Sequence, residues 1–395
     1  MIKIAIVVQR YGPEINGGAE TLARNIAERL SEKYEVEVLT SCSLHYDPFR
    51  DHYPAGSKKI NGVTVRRFAV AMIRTSENFM PLDLEMQSNH DVSDELAEKW
   101  MDGLGPYCPK LIDYINKHNA KYDVFILFTY LYYTTVRSMP LVAKKAILVP
   151  TAHDEQPIYY KIFRAVFLSP RGIMYNTEAE RSLVIRLFRN QSILYDIAGV
   201  GVDVPDNIDT DRFLNAYNIS NDYLVYVGRI ENHKGCDELF KYFIEYKKRN
   251  HNYLKLVLMG RSIIDIPNHP DIISLGFVSD KDKFDGIAAS KLLVLPSQYE
   301  SLSISVLEAM KLSIPVIVNG KCDVLNNHCV KSNGGLYYNN YFEFEGCVNY
   351  LISNKEVYRA MKNNAKKYVD NNYHWDIIMK KYDKMIKEIT QEQKE

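Results

Sequence analysis

The chain is predicted to be an α/β protein made of two doubly wound units in series. Three observations carry that expectation. Short β-branched runs alternate with amphipathic helical stretches, the alternation stops in a polar segment and then restarts, and 395 residues are enough for two cores of about 200 residues each. Hydrophobic residues at 46% and charged residues at 25% lie near globular averages, which excludes disorder, collagen and coiled coil. Lys plus Arg equals Asp plus Glu at 49 each, whereas a nucleic-acid binder usually carries a basic excess.

Residues 2–8 form a continuous apolar run, the pattern of a strand buried on both faces, and Gly17-Gly18 opens a segment with Leu22, Ile26 and Leu30 four apart on one helix face. Strand signals continue at 36–40, 63–68, 124–128, 146–150 and 173–176, interleaved with helical stretches such as 92–101 and 178–188. A polar segment at 206–222 breaks the pattern, and 223–227 reads as a first strand again. The expected domains are therefore 1–202, joined by a terminal helix at 376–395, and 203–375. The second repeats the theme with helix 236–247, strands 256–259 and 272–277, helix 282–290, strand 292–295, helix 303–312 and strand 316–318. From residue 342 onward the pattern is nearly all helical.

Six scattered cysteines (Cys42, Cys108, Cys236, Cys322, Cys329, Cys347) include no C-x-x-C pair and read as free thiols. Residues 4–8 are too short for a signal-peptide core, and the run 124–133, interrupted by Thr129, is too short to span a bilayer, so a cytoplasmic protein is expected.

The most informative stretch is LLVLPSQYESLSISVLEAM at 292–310: a buried strand, a polar loop holding Glu300, and a helix holding Glu308. Free amides at the helix start near Ser303 and Ile304 make a natural anion site, and Ser301, Ser303 and Ser305 keep the turn compact. Spacing alone fits equally a solvated Glu308 and a Glu300 favoured only by the helix dipole. Context comes from YLVYVGRIENHKG at 223–235, which puts Gly228, Arg229 and Lys234 directly after the first strand of the second domain. Two cations at a strand's carboxyl end suit a diphosphate whose charge grows as it departs, although either alone is as readily a surface residue. In the first domain, QRYGPEINGGAE lacks the G-x-G-x-x-G of a nicotinamide enzyme; Gly17 and Gly18 either let the loop approach a ligand or merely make a tight turn. His153, in PTAHDE after a strand, is a lone histidine, by itself more often structural than catalytic.

Together, E-x7-E before Ala309-Met310, G-R-x4-K-G at 228–235, Gly17-Gly18, His153-Asp154 and Trp375 near the last helix resemble the retaining glycosyltransferases of family 4, the glycosyl transferases group 1. The resemblance covers essentially the whole chain. It implies the GT-B architecture: two Rossmann-like α/β/α domains facing a cleft, the first binding the acceptor and the second the donor, with the C-terminal helix crossing back to the first. It further implies that Arg229 and Lys234 hold the donor diphosphate, that Glu300 contacts hydroxyls of the transferred sugar, and that Glu308 binds the ribose. The base would rest near Phe277 and Val278. Gly228 and the loop of Ser301, Leu302, Ser303 and Ile304 would pack against phosphate and sugar. Gly17 and Gly18 would lie beside the phosphates and acceptor, and His153 near the reacting carbon. The family often has glycine where Ser301 and Ser303 stand; serine is small enough to keep the backbone approach. Retention in the family is explained by front-face attack, the protein supplying position and charge stabilisation.

No cofactor is implied beyond a nucleotide-diphosphate sugar as donor substrate, UDP-sugar favoured over GDP-sugar, with a glycan or lipid-linked glycan of a surface polysaccharide as acceptor. Metal independence is expected, because no D-x-D flanks a strand end and the histidines lack ligand spacing. Rival readings are a sugar-nucleotide epimerase or phosphorylase of the same architecture, and a silent sugar-nucleotide-binding subunit. Tyrosines clustered at 130–133, 159–160 and 337–341 are candidates for sugar stacking or plain packing. Nine basic against four acidic residues at 137–189, with Arg181, Arg186 and Arg189 among apolar residues, suit either a packed helix or peripheral attachment to an anionic membrane. Oligomeric state is not readable.

Overall fold

The computed structural model describes residues 1–15, 17–89 and 92–392. The chain divides into two compact units: Met1–Gly199 with Ile378–Glu395, and Val200–Ile377. The sequence reading places its divisions at 202/203 and 375/376.

The first unit carries, among the described residues, an eight-stranded sheet of β1 (Lys3–Val7), β2 (Glu35–Ser41), β3 (Gly56–Ile60), β4 (Val63–Phe68), β5 (Val124–Phe128), β6 (Ala146–Val149), β7 (Gly172–Tyr175) and β8 (Leu194–Ile197). Their order is β3-β4-β2-β1-β5-β6-β7-β8. Ile4, Ala5, Ile6 and Val7 are wholly buried, as expected for a strand covered on both faces. The sheet is parallel except at its edge, where β3 and β4 form an antiparallel hairpin. The polar sequence of β3, GSKKI, carries no apolar signal, but Asn61 and Gly62 both have positive φ (47° and 85°), the two-residue turn whose twist suits a hairpin.

Helices α1 (Gly18–Leu30), α2 (Ser76–Ser88), α3 (Asp94–Leu104), α4 (Pro109–His118), α5 (Tyr133–Val142), α6 (Arg164–Leu168) and α7 (Glu178–Phe188) complete this unit. Trp100 of α3 anchors one cluster, its ring set edge-on to Tyr160 and Phe163 and its indole N–H donating to Asp83 at 2.9 Å.

The second unit holds a wholly parallel six-stranded sheet among the described residues: β9 (Tyr223–Val227), β10 (Lys255–Met259), β11 (Ile272–Ser274), β12 (Leu292–Leu295), β13 (Val316–Asn319) and β14 (Gly335–Tyr338), in the order β11-β10-β9-β12-β13-β14. Helices α8 (Thr210–Ala216), α9 (Cys236–Arg249), α10 (Asp280–Ala289), α11 (Ile304–Lys311), α12 (Asp323–Ser332), α13 (Tyr341–Ser353) and α14 (Lys355–Asn372) flank it. The strand order reverses between β9 and β12, so the loops leaving their carboxyl ends part and open the crevice where doubly wound sheets take ligands.

The last helix, α15 (Trp375–Glu392), begins in the second unit, where the Trp375 indole donates to Asp203 at 2.8 Å. From Ile378 onward it belongs to the first unit. Ile378, Tyr382, Met385, Ile386 and Ile389 are buried along one face, and Asp383 pairs with Lys33 of the first unit at 2.6 Å. Gly172 leaves room for this helix, since a Cβ there would lie 2.9 Å from the Met385 sulfur.

Candidate active site in the second unit

Two loops leave the crevice at the switch point. The first follows β9 as Gly228 to Gly235, and buried Tyr226 fixes its backbone by donating its hydroxyl to the Arg229 carbonyl at 2.6 Å. Gly235 takes φ +71° and packs against the second loop: a Cβ there would meet the Pro296 carbonyl at 2.5 Å. Only glycine allows that approach. The contact brings Lys234 beside the loop after β12, where its ammonium donates to Glu300 Oε1 at 2.7 Å. The pair is partly sheltered, the Glu300 side chain being 12% exposed. Arg229 projects outward at the same strand end, with Glu231 at 3.5 Å as its carboxylate partner.

The second loop enters α11 through Ser303, which has φ +64° and is 7% exposed. Its hydroxyl caps nothing and has no hydrogen-bond partner among the described residues. This left-handed position is one that glycine adopts without cost and serine does not. Leu302 is buried, and its carbonyl accepts from His328 Nε2 of α12 at 2.8 Å. That bond requires the proton on Nε2, so Nδ1 accepts from the Tyr368 hydroxyl at 3.1 Å. Burial pushes the His328 imidazole down to about 4, keeping it neutral. One buried histidine thus holds the loop between Glu300 and α11 in place.

Glu308, on α11, is buried and accepts from Lys283 Nζ of α10 at 2.8 Å. Burial pushes its carboxyl up, and the Lys283 charge pulls it back. Gly228, Arg229, Lys234, Glu300, Ser301, Leu302, Ser303, Ile304 and Glu308 all lie on or directly after β9, β12 and the start of α11. Phe277 and Val278 follow β11, which ends at Ser274, sooner than expected; Phe277 is 73% exposed.

The remaining expected site residues belong to the first unit. Gly17 caps α1 and Gly18 starts it; a Cβ on Gly17 would lie 2.0 Å from Glu20 Oε2. Buried Glu20 is engaged by Arg10, whose Nε donates at 2.9 Å. His153 follows β6, with Nε2 at 3.1 Å from Glu155 Oε2, and Glu155 in turn accepts from Tyr130 at 2.6 Å. The turn before His153 carries Thr151 at φ +50°, a strained conformation for a β-branched residue. Glu180 of α7 clamps it, accepting amides from Ala152 and Asn176 at 2.6 Å each. Burial pushes the Glu180 carboxyl up to about 8 against the pull of those amides.

Helix α7 is packed through Leu183, Val184 and Phe188, while Arg181 pairs with Glu178 and lies over Tyr195, and Arg186 pairs with Asp154. No described helix is long and apolar enough to cross a membrane. The cysteines are unbridged, and all but half-buried Cys347 are buried. His328, Lys283 and Glu180 are absent from the sequence reading. Their long-range partners, Leu302, Glu308 and Ala152, are 26, 25 and 28 residues away, and no local pattern announces such pairings.

With this geometry in hand, residues 207–368 match the family described as glycosyl transferases group 1. This stretch is a glycosyl transferases group 1 domain. It contains both crevice loops and all of α9 to α13. A curated relative, glycosyltransferase 1 domain-containing protein 1 of Xenopus tropicalis, is 31% identical over 102 residues, 25% of this chain and 29% of that protein. The chain's matches span 29% to 54% of the length of its curated relatives. Among solved structures, sucrose-phosphate synthase of Thermosynechococcus elongatus superposes with a TM-score of 0.73 at 13% identity, covering 98% of this chain and 99% of that one. HepE of Anabaena, solved in complex with UDP and glucose, gives 0.70 at 14% identity over 98% and 100%. At such identities the likeness concerns the fold, which is the two-domain GT-B type expected for a chain carrying a group 1 domain.

Proposed function

We propose that the protein is a retaining, metal-independent glycosyltransferase that moves a sugar from a nucleotide-diphosphate donor to a hydroxyl acceptor. The observation that carries this reading is the Lys234–Glu300 pair at the switch point of the group 1 domain. It sets a cation and a carboxylate beside the free amides of α11, the groups a diphosphate and a sugar hydroxyl call for. In this reading Arg229 and Lys234 hold the diphosphate and stabilise the charge that grows as it leaves, the role a metal ion plays in other transferases. Glu300 orients the sugar through its hydroxyls, Glu308 binds the ribose while Lys283 pairs with it, and His153 contacts the transferred sugar. The departing phosphate takes the acceptor's proton on the same face. The likeness to HepE, solved with UDP and glucose, supports a UDP-sugar donor. The acceptor is a glycan or lipid-linked glycan of a surface polysaccharide, and the protein works in the cytoplasm, at the inner membrane face where that acceptor is lipid-linked.

The test is a thermal-shift panel with UDP, GDP, ADP and dTDP and their common sugars, in EDTA and with magnesium restored. A nucleotide at 100 times its dissociation constant adds about 2.7 kcal/mol, which moves the midpoint by roughly 2–4 °C. A shift with uridine nucleotides in EDTA is the expected result. No shift with any nucleotide under either condition would overturn the reading.

A further inference from the structure

Arg67, on β4 near the edge of the first unit's sheet, has no part in the site described above. It is 5% exposed, and its Nε has no hydrogen-bond partner among the described residues. One terminal nitrogen donates to the Tyr11 carbonyl at 2.8 Å, and the guanidinium lies over the Tyr53 ring at 4.0 Å. No carboxylate of the described residues pairs with it, in contrast to buried Arg10, which meets Glu20. Burial accordingly holds the Arg67 guanidinium below its usual range. Glu14 is near enough to act on its charge but makes no ion pair with it among the described residues, so the buried cation is incompletely compensated, and a planar fork of donors is the geometry that receives phosphate or carboxylate.

The same residue lines a cavity of about 570 Å³ together with Pro13, Glu14, Tyr53, Lys58 and Lys59. Lys58, opposite Val65 on β4, stands on the Arg67 face of the hairpin, whereas Lys59 pairs with Thr64 and turns to the other face, so two cations meet one acid there, and Glu14 is already occupied, accepting from the Tyr53 hydroxyl at 2.9 Å. We propose that this cavity binds the anionic group of a charged sugar. Arg67 takes the phosphate or carboxylate, Lys58 flanks it, and Tyr53 offers a ring edge beside the sugar. The inference rests on the transferase reading only in taking that sugar to be part of the acceptor; the site itself can be tested without turnover.

Isothermal titration of the full chain with glucose 6-phosphate, glucuronate and glucose is the experiment, repeated on R67M and on K58Q/K59Q, with the nucleotide panel run on each. The expected result is saturable binding of glucose 6-phosphate, glucuronate or both, and none of glucose, with affinity falling at least about tenfold in each variant while the nucleotide shifts stay as in the wild type. Which anionic sugar binds distinguishes a phosphate from a carboxylate ligand. K58Q/K59Q lies on an exposed edge strand and decides the matter where R67M fails to fold. Absence of binding by both charged sugars, equal binding of glucose, or wild-type affinity in K58Q/K59Q overturns the proposal. Charged-sugar binding without any nucleotide shift overturns the transferase reading and leaves this site standing.

Discussion

Replacing Lys234 or Glu300 by alanine separates the structural from the chemical weight of their 2.7 Å contact. Lys234 is 33% exposed and Glu300 12%, so solvent screens the pair, and breaking it should lower stability by about 1 kcal/mol or less. Turnover should respond far more strongly. A fixed charge aimed at a developing diphosphate or sugar lowers the barrier by about 3 kcal/mol, so each single variant should lose on the order of a hundredfold in rate. Because the two side chains bond directly, each orients the other, and K234A/E300A should lose little more than the worse single variant. Independent contributions would instead multiply to about ten-thousandfold. The assay is release of nucleoside diphosphate from the donor identified by thermal shift, with the melting midpoint of every variant measured alongside. Wild-type rates in either folded single variant would refute the site, and a fully multiplicative loss in the double would refute the claim that the pair acts as one unit.

Ser303→Gly relieves a non-glycine residue at φ +64° and removes a buried, unpartnered hydroxyl, so it should stabilise the protein by about 1 kcal/mol, read as a raised midpoint in urea; a loss of stability would contradict the strain argument. His328 lowers its pKa from 6.5 to about 4 on folding. The unfolded chain therefore binds the extra proton first, and stability that is complete above about pH 6.5 is lost as pH falls, by up to about 3 kcal/mol at pH 4. His328→Phe lacks this dependence, so the stability gap between wild type and variant should narrow between pH 7 and pH 4; a constant gap would show that the imidazole does not titrate this way. Lys283→Met strands the buried Glu308 carboxylate and should lower stability by about 2 kcal/mol, whereas Glu308→Ala should chiefly weaken nucleotide binding; unchanged nucleotide affinity in Glu308→Ala would remove the ribose assignment.

Much of the fold is legible in the sequence because buried parallel strands are continuous apolar runs. The expected strands at 63–68, 124–128, 223–227 and 292–295 coincide with β4, β5, β9 and β12. Strands that lack that signature escape the reading: β3 is polar and paired on one side only, β8 is only partly buried, and β14 holds two tyrosines and a glycine in four residues. The expected strand at 272–277 shortens to three residues because β11 is an edge strand, paired only with β10. At the site, the motif residues were recognisable because βα loops place chemistry at fixed offsets from a strand. Their supports, His328 beneath Leu302, Lys283 beside Glu308 and Glu180 behind His153, were not, since each acts through a hydrogen bond to an element remote in sequence.

By itself the sequence determined the class, two α/β units in series, and the positions of Arg229, Lys234, Glu300 and Glu308 relative to their strands. Those follow from local rules: the period of apolar residues, and glycine where a turn must tighten. Only the tertiary structure decided which charges meet. Lys234 closes on Glu300 because Gly235 lets one loop touch Pro296, Glu308 meets a lysine from another helix, and Arg67 is left buried with no ion pair among the described residues, beside an open cavity. Charge pairing depends on distance in space and on burial, and neither is a property of neighbouring residues in the chain.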